Sequence, residues 1–182
     1  MDYVDLLCSI HRYGHKINMG AQYQVIDNFL PEKQFEMLRS IIMSYYFPWC
    51  YWWGRGDDEI TKDFFFHNFY RKGEEQSSEY FSILGPSLQK LVGDRELIRV
   101  KGVFTTQTAV PWNSGYHHDY DDITTAIYYI NTNNGWTEFE DGGKVESVAN
   151  RMLIFDSNLV HGGVSCTNEK TRILINFNYE TN

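Results

Sequence analysis

Apolar residues recur with two different periods, a helical one in the first half of the chain and a strand-like one in the second. A helix is predicted over 31–44, where Pro31 suits the first helical position. Its apolar residues recur at helical spacing: Phe35, Leu38, Ile41 and Ile42. A short strand over 22–26 is predicted to precede it. A second helix is predicted over 78–91, which Gly85 and Pro86 should kink or divide.

After residue 93 the pattern changes to short apolar runs separated by turn residues such as Asn, Asp and Gly. The predicted strands cover 97–107, 123–130, 137–140, 144–148, 152–155 and 173–179. Helices followed by many strands predict a helix-braced β-barrel or jelly roll. The length of 182 residues fits one domain, 1–182, with helical support and an aromatic segment in 1–96 and the strand-rich core in 97–182.

Charge and cysteine content exclude several classes of protein. The net charge is −8 and no run of Lys or Arg stands out, so neither nucleic acid nor an anionic membrane is an expected partner. Cys8, Cys50 and Cys166 are widely spaced, which indicates neither a disulfide framework nor a structural zinc site. Charged residues interrupt the first twenty positions, so no secretory signal is predicted and a cytoplasmic location is expected.

Aromatic residues make up 16% of the chain and concentrate in two stretches. The run over 45–53 is far shorter than the roughly 20 residues that span a bilayer. It is interpreted either as a wall or lid that faces a substrate or as a buried strand that packs on the helices, and the buried strand is favoured. Residues 64–66 are predicted to lie in the core, and 54–58 to form an exposed loop.

Candidate chemistry centres on the sequence His117-His118-Asp119. In an extended segment alternate side chains point the same way, so His117 and Asp119 would share a face and His118 would point elsewhere. If His118 were the ligand, Tyr120 would occupy the carboxylate position. A surface cluster that only makes hydrogen bonds would also explain the triplet, but His161 further along the chain supplies a second imidazole. Two imidazoles and one carboxylate on one face of Fe(II) leave positions open for a co-substrate and dioxygen.

Arg172 begins the last predicted strand, where alternation puts it on one face with Leu174 and Asn176. A guanidinium and an amide buried on that face would need partners, and a carboxylate ligand would serve. The planar guanidinium can hold the far carboxylate of a dicarboxylic co-substrate by two parallel hydrogen bonds. The alternatives are that Arg172 is an edge charge, and that His161 sits in a solvent-facing turn with the glycines that follow it.

The segment from about residue 105 to 179 resembles the catalytic core of the Fe(II)/2-oxoglutarate dioxygenases, especially their prolyl 4-hydroxylase-like branch. The segments that carry the resemblance are 116–119, 125–131, 137–139, 150–156 and 171–172, together with His161. Residues 23–30 also resemble that family's entry into the fold. The order and spacing of the segments between 116 and 172 are specific for this family when they are taken together.

The resemblance implies a double-stranded β-helix that is mainly β with flanking helices. It implies iron held by His117, Asp119 and His161, and 2-oxoglutarate that chelates the metal and reaches Arg172. Tyr129 matches a position that hydrogen-bonds the same distal carboxylate, and a core or surface tyrosine in a β-strand explains it equally well. The remaining candidates for the co-substrate pocket are Thr125, on the same strand face as Tyr129, and Asn176. Dioxygen is the second co-substrate, and ascorbate is a further candidate cofactor.

The leading functional hypothesis is a hydroxylase that acts on a prolyl or other aliphatic C–H position in a peptide or protein. A small-molecule hydroxylase of the same superfamily is the alternative, and a catalytically inactive jelly-roll binding module is a third. The intact ligand set and Arg172 argue against the inactive module. The acidic balance disfavours a nucleic-acid demethylase. Trp112, on the loop before the metal motif, is the candidate for the rim of a substrate site.

Overall fold

The helices bury one face each against a large sheet. The computed structural model describes residues 22–52, 64–74 and 77–181. Helix α1 spans Glu32–Ile42 and buries Phe35, Leu38 and Ile42, which confirms the predicted helix. The predicted second helix is divided, as expected at Gly85: a 3-10 helix spans Glu79–Leu84 and α2 spans Gly85–Leu91. No helix among the described residues is long and apolar enough to span a bilayer.

Two antiparallel sheets contain the strands of the described residues. The strands of the larger sheet are β1 Tyr23–Ile26, β2 Cys50–Trp52, β3 Phe64–Arg71, β4 Leu97–Thr106, β5 Ile123–Tyr129, β8 Arg151–Asp156 and β10 Thr171–Glu180. Those of the smaller are β6 Trp136–Phe139, β7 Lys144–Glu146 and β9 His161–Val164. The larger sheet has the order β1-β8-β5-β10-β4-β3-β2 and the smaller has the order β7-β6-β9.

Alternation along the central strands divides the interior into two clusters. On β10, Ile173, Ile175 and Phe177 point to the helix side and join α1 in the larger apolar cluster. Leu174 points the other way, into a cluster between the two sheets that also contains Phe139 and Val145 of the smaller sheet. This packing forms the expected double-stranded β-helix, braced by helices on the outer face of the large sheet. The inner face of β10 therefore carries Arg172 and Asn176 towards the smaller sheet.

The described part of the first half contains more strand than expected. The strands β1, β2 and β3 all extend the large sheet, so the division at residue 97 does not coincide with a structural boundary. Residues 64–66 begin β3 and are half-buried rather than core residues. The expectation for 54–58 lies outside the described residues.

The favoured interpretation of the aromatic run as a buried strand is wrong for its described part. Tyr45 is 94% exposed and Tyr46 84% exposed, because α1 ends at Ile42 and a turn carries these residues away from the sheet. Phe47 alone of the run's described residues is fully in the core, at 5% exposure. Strand β2 is an edge strand of the large sheet and is exposed along its length.

Candidate active site

A cavity of about 490 Å³ is lined by strands of both sheets and by the loop that carries residues 112–119. Most of the residues predicted for a site lie on its wall: Trp112, His117, Asp119, His161, Arg172 and Asn176. Thr125 and Tyr129 are not among the lining residues. The fold thus brings together positions that are far apart in the sequence, as the predicted ligand set requires.

The two histidines are fixed to each other through the backbone. The amide of each donates to the carbonyl of the other at 2.9 Å, and the ring centroids of His117 and His161 lie 4.7 Å apart. The Nδ1 atom of His117 lies 3.2 Å from the Gly115 carbonyl, and that of His161 lies 3.0 Å from the Leu159 carbonyl. Because a carbonyl only accepts, each Nδ1 carries the proton and each Nε2 keeps its lone pair for a metal.

Because Gly162 has no side chain, the loop that precedes His117 can lie close to β9. A Cβ atom there would lie 2.7 Å from Asn113 Oδ1 and 3.1 Å from the Gly115 carbonyl oxygen, so any side chain would push the loop away. His161 itself is 3% exposed, and burial lowers its pKa. A neutral ring at pH 7 is the form that binds a metal.

Asp119 is held by three donors from the large sheet. Arg99 Nη2 donates to Oδ1 at 2.9 Å, while the side-chain amides of Asn176 and Asn178 donate to Oδ2 at 2.8 and 3.2 Å. Burial alone would raise the pKa of Asp119, but the charge of Arg99 and the two amides outweigh it and lower the pKa to about 2. The carboxylate is therefore ionised throughout the neutral range.

Among the described residues, no three His, Cys, Asp or Glu side chains are positioned as a group that could hold a metal ion. The donor chemistry nevertheless fits iron. Two imidazoles have their Nδ1 protons on carbonyls, and Asp119 Oδ1 accepts one side-chain hydrogen bond although a carboxylate oxygen has two lone pairs. Asn176 Oδ1 is buried with no partner beside the same carboxylate. These groups can supply the two-histidine, one-carboxylate set that suits non-haem Fe(II).

His118 is turned away from this group, as alternation predicts. Its Nε2 lies 3.3 Å from Asp121 Oδ1, and its side chain is 52% exposed at the border of the cavity. A surface ion pair of this kind contributes little to stability. The structure therefore pairs His117, not His118, with His161.

Arg172 is buried at 3% exposure, which rules out the edge-charge interpretation. Its Nε donates to Ser147 Oγ at 2.9 Å, and its Nη2 donates to the Trp136 carbonyl at 3.1 Å and to Thr137 Oγ1 at 3.2 Å. Its guanidinium carbon lies 5.7 Å from the ring centroid of Tyr129. All of these partners are neutral, and no acidic side chain among the described residues pairs with the guanidinium, so a carboxylate ligand stays the predicted partner.

Two glycines leave room for the guanidinium. A Cβ atom on Gly135 would lie 2.8 Å from Arg172 Cδ and 2.7 Å from the Val164 carbonyl oxygen, which real side chains do not tolerate. A Cβ atom on Gly163, which lines the cavity, would lie 3.4 Å from Arg172 Nη1. The absence of a side chain at 163 keeps Nη1 accessible to a carboxylate in the cavity.

Thr125 and Tyr129 do not line the cavity, and the co-substrate contacts predicted for them stay predictions. Thr125 Oγ1 accepts from Asn178 Nδ2 at 3.0 Å, so it supports Asp119 through Asn178. Tyr129 is fully buried, and its hydroxyl donates to Thr137 Oγ1 at 2.8 Å. Strand β5 lies beside β10 in the same sheet, and of its residues Ile127, not Thr125 or Tyr129, lines the cavity.

Sequence reasoning missed Arg99 and Asn178, although both have a sequence signal. Asn178 continues the alternation of Arg172, Leu174 and Asn176 along β10. Arg99 interrupts an apolar strand, and an unexplained charge in such a position is a sign of a buried ion pair.

Comparison with known proteins rests on structure, because no family model and no curated protein matches the sequence. A prolyl hydroxylase from Trichoplax adhaerens, in complex with a hypoxia inducible factor peptide fragment, has a TM-score of 0.63 at 14% identity, over 99% of this chain and 94% of that one. A prolyl-4-hydroxylase from Pseudomonas putida has a TM-score of 0.57 at 15% identity, over 88% and 93%. HygX from Streptomyces hygroscopicus, with nickel, 2-oxoglutarate and hygromycin B bound, has a TM-score of 0.58 at 14% identity, over 99% and 87%.

The chain has the fold of these oxygenases. The likeness extends over nearly the whole of each compared chain, and it confirms the resemblance in fold that the motifs of the second half indicate. At these identities the likeness establishes the fold, and the chemistry of the site has to be argued from its own residues.

Replacement of Arg99 by methionine should destabilise the metal-free chain by about 2 kcal/mol at pH 7, since the lowered pKa of Asp119 measures how strongly its ionised form is favoured by folding. The contribution is present above the pKa of an unfolded aspartate, about 4, and is lost as the pH falls towards about 2. Urea unfolding at a series of pH values should therefore show a difference between the two proteins that shrinks below pH 4.

Arg39→Met is the matched control, because Arg39 pairs with Glu36 on the exposed face of α1. It should change the free energy of unfolding little at any pH. A difference for Arg99→Met that stays constant from pH 7 to pH 3 would mean that the ion pair with Asp119 contributes nothing.

Proposed function

We propose that the chain is an Fe(II)- and 2-oxoglutarate-dependent dioxygenase that hydroxylates an aliphatic C–H bond, with a prolyl residue in a peptide or protein as the first candidate substrate. One observation carries the proposal. A single cavity has two imidazoles and an ionised carboxylate on its wall together with a buried guanidinium that has only neutral partners.

The residues divide into two groups with different tasks. His117, Asp119 and His161 hold the iron, the histidines through Nε2. Arg172 binds the distal carboxylate of 2-oxoglutarate, and the hydroxyl of Thr137, on the cavity wall beside it, helps to orient that carboxylate. A buried guanidinium is worth most when it meets a carboxylate, because an unpaired buried charge is costly.

When bound, iron with 2-oxoglutarate and dioxygen supplies the oxidant that replaces an aliphatic C–H by C–OH, one oxygen atom going to the product and the other to succinate, with release of carbon dioxide. The protein supplies position and environment. Ile127, Leu174 and Val164 give the cavity an apolar wall that excludes water from the reacting carbon. The carbonyls of Gly115 and Leu159 keep the Nδ1 protons of the two histidines in place, so each ring is held in the tautomer that binds metal.

Trp112 is the residue proposed to meet the substrate. It is half-buried on the cavity wall, and its backbone is paired with Ser165, whose amide donates to the Trp112 carbonyl at 2.9 Å. An aromatic ring fixed at the rim of a site suits a proline ring or an extended peptide. Among proteins of the same fold, the Trichoplax enzyme has a peptide fragment in its complex.

Proline-containing peptides should stimulate succinate formation above the background without substrate, and Trp112→Ala should reduce this stimulation without changing the affinity for 2-oxoglutarate. The loss of a ring that packs on substrate costs about 2 kcal/mol, or roughly thirtyfold in affinity. Mass spectrometry of a diverse proline-rich peptide library should detect a gain of one oxygen atom. Tyr45→Ala is the control, because Tyr45 is exposed and lies outside the cavity lining.

The second candidate is a hydroxylase of small molecules with the same ligands and co-substrate. The cavity volume of about 490 Å³ favours it, because this volume lies within the range of small-molecule sites. HygX, which has the same fold, has hygromycin B bound. If the peptide library gains no oxygen while a free metabolite does, the peptide assignment is wrong and the reaction class remains.

A further inference from the structure

Lys101 is a third cation on the cavity wall, besides Arg99 and Arg172, and the proposed chemistry does not use it. It lies on β4, where every second side chain faces the cavity, and Arg99, Lys101 and Val103 are three of these. Its Nζ atom lies 5.0 Å from the ring centroid of Phe64 and 5.5 Å from that of Phe66. The two rings hold the ammonium by cation–π contact at one end of the cavity.

The ammonium of Lys101 has no hydrogen-bond acceptor or acidic partner within the described ranges. Asp119, the acid whose charge acts on it, is already bound by Arg99, Asn176 and Asn178. Burial, with help from the nearby positive charge of Arg99, lowers the pKa of Lys101 to about 8, so the side chain still carries its charge at pH 7. A half-buried, charged donor without an acceptor is an open binding position.

Lys101 and Arg172 serve opposite ends of the cavity. In the pairing of β10 with β4, Arg172 is opposite Thr105 and Asn176 is opposite Lys101. The Cα atoms of the two cations are therefore four positions apart along the strands, about 13 Å at the usual rise per residue. Their charged ends also reach different parts of the fold. The guanidinium donates to groups at the smaller sheet, whereas the ammonium lies over the rings of Phe64 and Phe66 on β3. If Arg172 binds the co-substrate, Lys101 is free for another molecule.

Asn176 adds a second unpaired group at the Lys101 end. Its Nδ2 donates to Asp119, and because a carboxylate only accepts, the amide cannot be turned around. Its Oδ1 therefore faces away from Asp119 and is buried without a partner. An amide oxygen only accepts, so Asn176 adds no contact for an anion, and the anionic contact at this end rests on Lys101 alone.

We propose that the substrate carries an anionic group, a carboxylate or a phosphate, that binds Lys101 between the co-substrate and the Phe64 side of the cavity, so that Lys101 selects acidic substrates. This inference rests on the proposed function, because it assigns Arg172 to 2-oxoglutarate. A substrate held at Lys101 lies next to Asp119 and so close to the proposed iron. Lys101 is thus a specificity-determining residue.

The binding of an anion to Lys101 can be tested by competitive acetylation of the full chain, with simple anions in place of the substrate. Peptide mass spectrometry measures the acetylation of each lysine. N-acetyl-L-proline and phenyl phosphate are the anionic probes, and N-acetyl-L-prolinamide and phenol are their neutral counterparts. With 2-oxoglutarate present throughout, an anionic probe should slow acetylation of Lys101 about tenfold at roughly ten times its dissociation constant, and the neutral counterparts should not. The exposed Lys170 is the internal control and should react equally in all samples.

Protection by N-acetyl-L-proline would identify the anion as a carboxylate, and protection by phenyl phosphate would identify it as a phosphate. By isothermal titration calorimetry, Lys101→Gln should lower the affinity for the protecting anion about tenfold, and Lys101→Arg should restore most of it, because a hydrogen bond to a charged group is worth about 1.5 kcal/mol or more. Lys170→Gln should leave the affinity unchanged. If neither anion protects Lys101, the inference is wrong. A further sample without 2-oxoglutarate or probe gives the unprotected rate. If 2-oxoglutarate without a probe already slows acetylation of Lys101 relative to that sample, Lys101 belongs to the co-substrate site and the inference is also wrong.

Failure of this inference can be separated from failure of the proposed function. If the parent chain binds Fe(II) and 2-oxoglutarate and produces their visible absorption band, the proposed function stands whatever Lys101 does. If the band is absent from the parent chain, the proposed function fails first. Lys101→Gln should keep the band, which also shows that this variant is folded.

Discussion

His117→Ala and His161→Ala should each abolish the visible charge-transfer band that anaerobic addition of 2-oxoglutarate gives to the Fe(II)-loaded chain, and Asp119→Ala should do the same. Each of these side chains supplies one of the three proposed protein ligands, and 2-oxoglutarate can chelate only iron that is held with two positions open. Loss of a supporting residue already costs about 10- to 100-fold in metal affinity, so loss of a ligand should cost at least about a hundredfold. Absorbance titration and an assay of bound iron measure both effects.

His118→Ala is the control for this assignment, since it deletes the neighbouring imidazole. His118 makes a surface ion pair with Asp121 and does not share the backbone pairing that joins His117 to His161. The band and the iron content of this variant should match those of the parent chain. Loss of the band in His118→Ala, with the band retained in His117→Ala, would overturn the ligand assignment.

The opposite orientations of His117 and His118 could be predicted from the sequence because they follow from local alternation, whereas the backbone pairing of His117 with His161 is a long-range contact. Arg99 could not be found in the same way. Its contact with Asp119 depends on β4 lying beside β10, so that Arg99 stands opposite Asn178 and both reach the same carboxylate. Pairing between strands that are far apart in the sequence is not written in the periodicity of either strand.

The fold, like the site, could be predicted only where a local pattern determines it. Helix α1 was predictable because its apolar residues repeat at helical spacing, whereas β3 was not, because the start of that strand is a run of aromatic residues without alternation. Strand β9 contains two consecutive glycines, which strands usually avoid. The first is needed there because the loop before His117 lies against Gly162, and the second leaves space beside the guanidinium of Arg172. The requirement of the site thus overrides strand propensity at the position where the second histidine is carried.

Arg172→Ala should raise the dissociation constant for 2-oxoglutarate about a hundredfold while iron binding stays nearly unchanged. Removal of one partner of a buried charge pair costs about 3 kcal/mol or more, which corresponds to that factor. Arg172→Lys should recover part of the affinity, because a lysine restores the charge but not the planar pair of donors. Titration of the visible band gives the constant for each variant. Arg39→Ala, on the exposed face of α1, is the matched control and should bind 2-oxoglutarate like the parent.

Arg172 also holds the smaller sheet in place through Ser147, Trp136 and Thr137, so its removal could weaken binding simply by loosening the site. Pyruvate separates the two effects, because it has the 2-oxo acid that chelates iron but no second carboxylate. If Arg172 contacts the distal carboxylate, Arg172→Ala should weaken 2-oxoglutarate and leave pyruvate unchanged, so the preference for 2-oxoglutarate over pyruvate disappears. A loosened site would weaken both ligands by the same factor. Unchanged binding of 2-oxoglutarate would show that the guanidinium serves only to join the two sheets.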